Sequence, residues 1–403
     1  MPPTKQILDA MEALRAIRRD LHAHPELGFE EHRTASLIAE ELSRLEIPHH
    51  VGIGRTGVVG VIEGRSNCLG RSVGLRADMD ALPLQELTGL AHQSRCSGRM
   101  HACGHDGHVT MLLAAARYLQ QTREFDGTVY LIFQPGEEGC GGGRAMVEDG
   151  LFERFPADRV YALHNWPGLP LGTVSIPSGP AMAATDRIRI RIRGHGGHGG
   201  VAPHRTVDPV LVAGHLIVAA HSIVSRNIDP LEAAAISLCA VQGGDLERGF
   251  AVIPEEVVIV GTARSLRPEV QDLLERRLQA VVQSIAESFG ATATLEYERV
   301  FPATINSAEE VRFANSVAAE LLGAEKVIAH PRPSLGGEDF AYMLQQRPGA
   351  YIHLGSGSDV GLHNPHFDFN DELIPIGGAL LARLAERALP SNSAYCSNST
   401  FPA

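Results

Sequence analysis

Asp186-Arg-Ile-Arg-Ile-Arg-Ile-Arg193 alternates arginine with isoleucine over its last seven positions. Successive side chains on a strand point to opposite faces, so this stretch predicts a strand with one buried and one wet face. The segments before it read differently. Thr128-Val-Tyr-Leu-Ile-Phe133 is a continuous apolar run, and Gly57-Val-Val-Gly-Val-Ile62 and Ser72-Val-Gly-Leu-Arg76 are shorter ones. Residues 159–163 and 173–176 read as two further strands. Between these runs lie helical patterns: Ile7, Met11, Leu14, Ile17 and Leu21, then residues 33–45, then residues 107–120, which Asp106 is expected to cap. Helices alternating with continuous apolar strands predict an α/β fold with a mostly parallel sheet covered on both faces.

Beyond Arg193 the pattern is a helix at 208–224, strands at 234–241 and 257–263, a helix at 269–289 and a strand at 292–300. Strand, helix, strand, strand, helix, strand is the βαββαβ order of ferredoxin-like domains. It predicts a domain at 184–297 inserted into a discontinuous one, 1–183 and 298–403. The second part of the latter returns to alternation, with helices at 308–322, 340–346 and 374–388 and a strand at 350–354. The polar tail from Ser391 reads as frayed.

The chain has 403 residues, which exceeds one ordinary core and agrees with two domains. Hydrophobic residues at 44% and charged residues at 20% are globular values. A formal charge of −12 argues against nucleic acid and anionic membranes as partners, since both call for a basic face. No secretory signal and no run of about 20 apolar residues is visible. The six cysteines are scattered, give no disulfide framework, and fit a reducing, cytoplasmic setting. The 19 histidines are many for this length, and several are clustered.

His101-Ala-Cys-Gly-His-Asp-Gly-His108 gathers three imidazoles, a thiol and a carboxylate. A turn can aim Cys103 and His105 at one point, and a thiolate and an imidazole suit borderline metals such as zinc or nickel. A helix start rich in capping residues, with its histidines hydrogen-bonded locally, is the plain alternative. Gln134-Pro-Gly-Glu-Glu138 follows the strongest strand, where open α/β sheets place functional groups. Adjacent carboxylates call for a nearby cation, and one glutamate can bind it while its neighbour moves protons. A solvated acidic turn is the plain alternative. His164 in Leu163-His-Asn-Trp166 and His363 in Gly361-Leu-His-Asn-Pro-His366 also lie past strands. Each is weak alone, and a lone histidine is more often a satisfied core residue. Together the strand ends offer Cys, His, Glu, His and His, a plausible two-metal ligand set. The glycine-dense Arg193-Gly-His-Gly-Gly-His-Gly-Gly-Val-Ala-Pro-His204 places His198 mid-loop in the insert.

These motifs, with His22-Ala-His-Pro-Glu-Leu27, Gly74-Leu-Arg-Ala-Asp-Met-Asp-Ala-Leu-Pro83 and Gly337-Glu-Asp-Phe340, cover nearly the whole chain. Together they resemble the aminoacylase/carboxypeptidase-G metallopeptidase family, in its amidohydrolase branch of hippurate hydrolases, N-acyl-amino-acid deacetylases and auxin-conjugate hydrolases. The resemblance implies a catalytic domain with an inserted lid and dimerisation domain. It implies Cys103, His105, Glu138, His164 and His363 as ligands of two divalent metal ions, manganese or zinc first, nickel or cobalt as alternatives. Glu137 matches the general base, His198 a lid residue that steadies the oxyanion in the neighbouring subunit's site, and Asp80 the support of the metal-binding turn. Asn227 and Arg264 lie where lid residues meet the substrate. Asp78 stands where the wider family has its first histidine ligand, and the bridging aspartate position falls in the Cys103/His105 motif. Both departures are typical of this branch. The implied reaction is hydrolysis of N-acyl amino acids by a homodimer or homotetramer. A dipeptidase or aminopeptidase of the same fold is the alternative, and an inactive metal-binding scaffold a more remote one.

Overall fold

The computed structural model describes residues 3–391; the polar tail expected to be frayed lies, from 392 on, outside the described residues. The chain divides into two compact units.

The first unit comprises the chain up to Ala181, Ile305–Arg332 and the chain from Asp339 on. Its centre is a seven-stranded sheet in the order His49–Ile53, Gly57–Glu63, Thr128–Gln134, Ser72–Asp78, Arg159–Trp166, Gly349–Gly355 and Val174–Ser175. The four strands from Thr128–Gln134 to Gly349–Gly355 run parallel, and the outer pairings are antiparallel. Every residue of Ser72–Asp78, Thr128–Gln134 and Gly349–Gly355 is buried, as unbroken apolar runs require when helices cover both faces. The helix His105–Thr122 is apolar nearly all round and is buried along most of its length. In the parallel register Asp78 lies beside Gln134, and His164 beside His353. The carboxyl ends of the strands are therefore level, and the turns after them open on one edge of the sheet.

The second unit comprises Met182–Thr304 and Pro333–Glu338. It follows the order strand, helix, strand, strand, helix, strand, with sheet order Ala234–Gly243, Glu256–Ser265, Ala184–Arg193, Thr292–Phe301. Its pairings are all antiparallel. Ile188, Ile190 and Ile192 pack with Val212, Leu216, Leu274, Leu278 and Val282 from the helices Pro209–Asn227 and Pro268–Ser288. Burying the three isoleucines contributes roughly 5–9 kcal/mol. Arg187 and Arg189 turn outward and face Glu298 and Glu296, each at 3.7 Å, exposed pairs that add little.

Several sequence expectations need correction. Residues 7–21 form two helices, Pro3–Asp9 and Met11–Ala23, broken at Ala10. The strand His49–Ile53 has no apolar signature because it is an edge strand with three exposed residues. The helix expected at 340–346 shortens to Ala341–Leu344. Asp106 does not cap the helix it was assigned to; Gly104 is the cap residue, and the Asp106 carboxylate instead meets His22. The helix Pro209–Asn227 is long and apolar enough to cross a membrane by length and composition only, and part of it packs into the core of its unit.

Candidate metal centre and active site

All seven first-unit candidates meet at the carboxyl edge of the sheet. Cys103 and His105 flank Gly104, which takes φ +99, a left-handed conformation that favours glycine. A Cβ there would stand 2.1 Å from Asn165 Oδ1, so the turn is closed against the next strand as well. The Cys103 sulfur lies 3.3 Å from His164 Nε2. His164 Nδ1 lies 2.7 Å from the carbonyl of Asn165, which can only accept. The proton of His164 is therefore on Nδ1 and the lone pair on Nε2, the tautomer a ligand needs. His363 Nε2 stands 3.2 Å from Glu138 Oε1. His363 itself has φ +60, an uncommon conformation for a non-glycine residue, and its amide donates to Ala102 O at 2.8 Å, which docks its loop on the Cys103 motif.

Two groups of ligand atoms share one residue: Cys103, His105 and His164 form one, and Cys103, Glu138 and His363 the other. A further group joins His105 with Glu137 and Glu138. Asp80 organises them. Its carboxylate accepts from the amide of Glu137 at 3.0 Å and from that of Glu138 at 2.9 Å. Its Oδ1 also lies 3.3 Å from His105 Nδ1, close enough for charge attraction but not aligned as a hydrogen bond.

The electrostatics are those of a place built for a cation. Both ring nitrogens of His105 and Oε1 of Glu138 are buried without a hydrogen bond, a costly state in a folded protein. Burial opposes a charged His105, but Asp78, Asp80 and Glu138 outweigh it and push its pKa up to about 10. Burial raises the Cys103 thiol well above its ordinary range, and the charges of Glu138, Glu137 and Asp78 add to this. Burial and His108 hold His164 neutral. Asp78 is kept ionised against its burial by His105, Arg76 and His108. Carboxylates in excess, a thiol and neutral or proton-bearing imidazoles fit divalent ions: a cation would replace the protons and satisfy the orphaned atoms.

The remaining candidates lie in the second unit. His198 is exposed, and its Nδ1 accepts from the amides of Gly200 and Val201, each at 3.1 Å. Its Nε2 therefore carries the proton. Asn227 ends the helix Pro209–Asn227 and accepts from Arg277 Nε at 3.2 Å. Arg264 is half-buried on Glu256–Ser265 and donates to Thr262 Oγ1 and, at 3.0 Å, to Ala263 O.

Sequence reasoning missed the layer behind the ligands. His108 bridges Asp78 at 2.5 Å and Asn165 at 2.6 Å. Arg76 donates to Asp78, Gln134 and Asp339, and Gln134 donates to Asp339 at 2.6 Å. Trp166 stacks on His353 with ring centroids 3.8 Å apart. His108 stood in the motif and Asp339 in the resemblance, but nothing local to either marks its partner.

The chain is similar to proteins of known name along almost its full length. It is 41% identical to hippurate hydrolase of Campylobacter jejuni over 95% of this chain and 98% of that protein. It is 37% identical to N-acetylcysteine deacetylase of Bacillus subtilis, covering 92% and 95%. To IAA-amino acid hydrolase ILR1-like 4 of Arabidopsis thaliana it is 37% identical, covering 94% and 87%. Among solved structures it resembles a putative aminohydrolase from methicillin-resistant Staphylococcus aureus, with TM-score 0.86, 30% identity and coverage of 96% and 98%. A Bacillus subtilis dinuclear metal-binding peptidase of the M20 family matches with TM-score 0.80 and 33% identity, covering 93% and 97%. Residues 74–387 match the profile of peptidase family M20/M25/M40. With the ligand groups at the sheet edge and these likenesses together, the chain belongs to peptidase family M20/M25/M40.

Proposed function

We propose that this protein is a metal-dependent amidohydrolase that cleaves N-acyl amino acids to a carboxylic acid and a free amino acid. The observation that carries the reading is the pair of ligand groups sharing Cys103, with Glu137 beside them. Relatives named hippurate hydrolase and N-acetylcysteine deacetylase supply the substrate class. Cys103, His105, Glu138, His164 and His363 would hold two divalent ions, manganese or zinc in preference to nickel or cobalt. When bound, such ions polarise the acyl carbonyl and acidify water.

Glu137 takes the proton of the attacking water and passes it to the leaving amine. Asp80 keeps Glu137 and Glu138 apart in role, because it fixes both of their amides. His198 donates from Nε2 to the developing oxyanion, a role supported by the two amides that occupy its Nδ1. In this reading residues 184–297 act as a lid and dimerisation domain, His198 serves the site of a second copy, and Arg264 and Asn227 face the substrate carboxylate. A half-buried guanidinium on the lid suits that task.

The test is a panel of hippurate, N-acetyl-amino acids and unblocked dipeptides, each assayed with manganese, zinc, nickel and cobalt. Hydrolysis of the acylated substrates is expected, and preference for free dipeptides would move the reading to a dipeptidase. Glu137→Gln should retain its metal and lose turnover by about 10²- to 10⁴-fold. Near-normal turnover in that variant would remove Glu137 from the mechanism.

A further inference from the structure

The segment that begins His22-Ala-His-Pro-Glu-Leu27 takes no part in the chemistry above, yet it touches three turns of the site. His22 Nδ1 meets Asp106 Oδ2 at 2.8 Å, beside the turn of Cys103 and His105. The amide of Ala81, next to Asp80, donates to Glu26 O at 2.8 Å. The amide of Gly136 donates to Glu31 Oε1 at 2.8 Å. The last contact lies nearest to the proposed base. Gly136 has φ +57, so its turn depends on a conformation that favours glycine. Three successive amides there, of Gly136, Glu137 and Glu138, are each held by a buried carboxylate: the first by Glu31, the next two by Asp80. Glu31 is wholly buried, and its second oxygen accepts from the Thr56 hydroxyl at 2.6 Å. Keeping a carboxylate there is costly: burial raises its pKa, and the charge of Asp80 raises it further. An apolar residue of similar size would fill the space without that cost, but would leave the buried amide of Gly136 without an acceptor.

We propose that Glu31 is a positioning residue for Glu137: its carboxylate fixes the Gly136 turn and so aims the base. The proposal rests on the reading of Glu137 as the base. Asp80 holds the amides on the far side of the turn, and the Glu31 bond restrains the chain from pivoting about Gly136. A displacement of about 1 Å at a reacting group can cost on the order of 10²-fold in rate.

Glu31→Ala, Glu31→Gln and Thr56→Val proteins are compared with the wild type and Glu137→Gln, using the fastest substrate of the panel. Metal per subunit, kcat, KM and thermal midpoint are measured. Glu31→Ala should lower kcat by about 30- to 100-fold, with KM within about threefold and metal content unchanged. Glu31→Gln should recover kcat to within about fivefold, because its amide oxygen can still accept from Gly136. Thr56→Val should lose thermal stability and keep its kcat, since the Gly136 bond remains. Should Glu31→Ala not fold, Glu31→Asp keeps the charge, retracts the carboxylate by one methylene, and carries the same expectation of reduced kcat. A kcat near wild type in Glu31→Ala or Glu31→Asp, or a loss that only tracks lost metal, overturns the proposal. Turnover by Glu137→Gln would instead overturn the reading of the base on which it rests.

Discussion

Replacing Asp80 by Asn changes one atom and should disable the metal centre. Both Asp80 oxygens are in use: Oδ1 accepts from Glu137 N at 3.0 Å and Oδ2 from Glu138 N at 2.9 Å. The side chain is 1% exposed, so no water can substitute. An asparagine has one oxygen, and its amino group would point a donor at a donor. One buried amide is then orphaned, at about 1–3 kcal/mol, and the other bond loses its charge assistance. His105 also loses the negative charge that faces its Nδ1 at 3.3 Å. Partners that orient ligands in this way typically govern metal affinity by 10- to 100-fold. At about 1.4 kcal/mol per decade that range agrees with the loss of one orphaned amide. Chelator competition on the metal-free protein, with zinc and with manganese, measures the affinity, and urea unfolding measures the stability. Binding within about threefold of wild type together with an unchanged unfolding midpoint would refute the role given to Asp80.

Three further expectations follow from the same geometry. The Cys103 thiol is held protonated by burial and by Glu138, Glu137 and Asp78, so metal binding should release about one proton from it. Calorimetry in buffers of different ionisation heat reads that proton, and Cys103→Ala should retain far less metal; full stoichiometric metal in that variant would exclude the thiol as a ligand. For His22, burial opposes the charged form, but hydrogen bonds to Asp106 and Glu86 lift its pKa to about 9. A raised pKa contributes stability fully present below about pH 6.5 and lost as pH rises through 9, here on the order of 3 kcal/mol. Urea unfolding at about pH 6 and about pH 9.5 should show that loss in the wild type and much less in His22→Asn; parallel pH profiles would contradict it. Finally, mixing inactive His198→Ala subunits with inactive Glu137→Gln subunits should partly restore activity if the lid acts on a second copy. No restoration would favour a site completed within one chain.

Periodicity made the main strands legible. The apolar run at Thr128–Gln134 reads as a buried strand, and the Arg/Ile alternation at Ala184–Arg193 reads as a half-wet one, because both patterns follow directly from which faces are buried. The candidate ligands are legible as residue types next to strand ends, and the structure brings them together. Their supports are not legible. Glu31 and Gly136 are joined by one hydrogen bond across more than a hundred positions, and neither carries a local signal of the other. Asp106 illustrates the limit from the other side. Its position before an apolar helix suggests a cap, but a buried histidine and the nearby Arg18 are stronger partners for a carboxylate than a backbone amide. Edge strands such as His49–Ile53 escape for a related reason, since partial exposure erases the apolar signature.

The parallel pairing of Gly349 with Val160 has a consequence for the order in which the protein can assemble. The strand Gly349–Gly355 sits between Arg159–Trp166 and Val174–Ser175, although the whole of Met182–Thr304 is synthesised before it. A nascent chain therefore carries an open seam at Arg159–Trp166, with unpaired backbone groups, until its last fifth has emerged. His363 arrives later still. Such distant pairings form slowly. The proposed ligand set cannot be complete on a partly made chain, so loading of the proposed ions would belong to the end of folding.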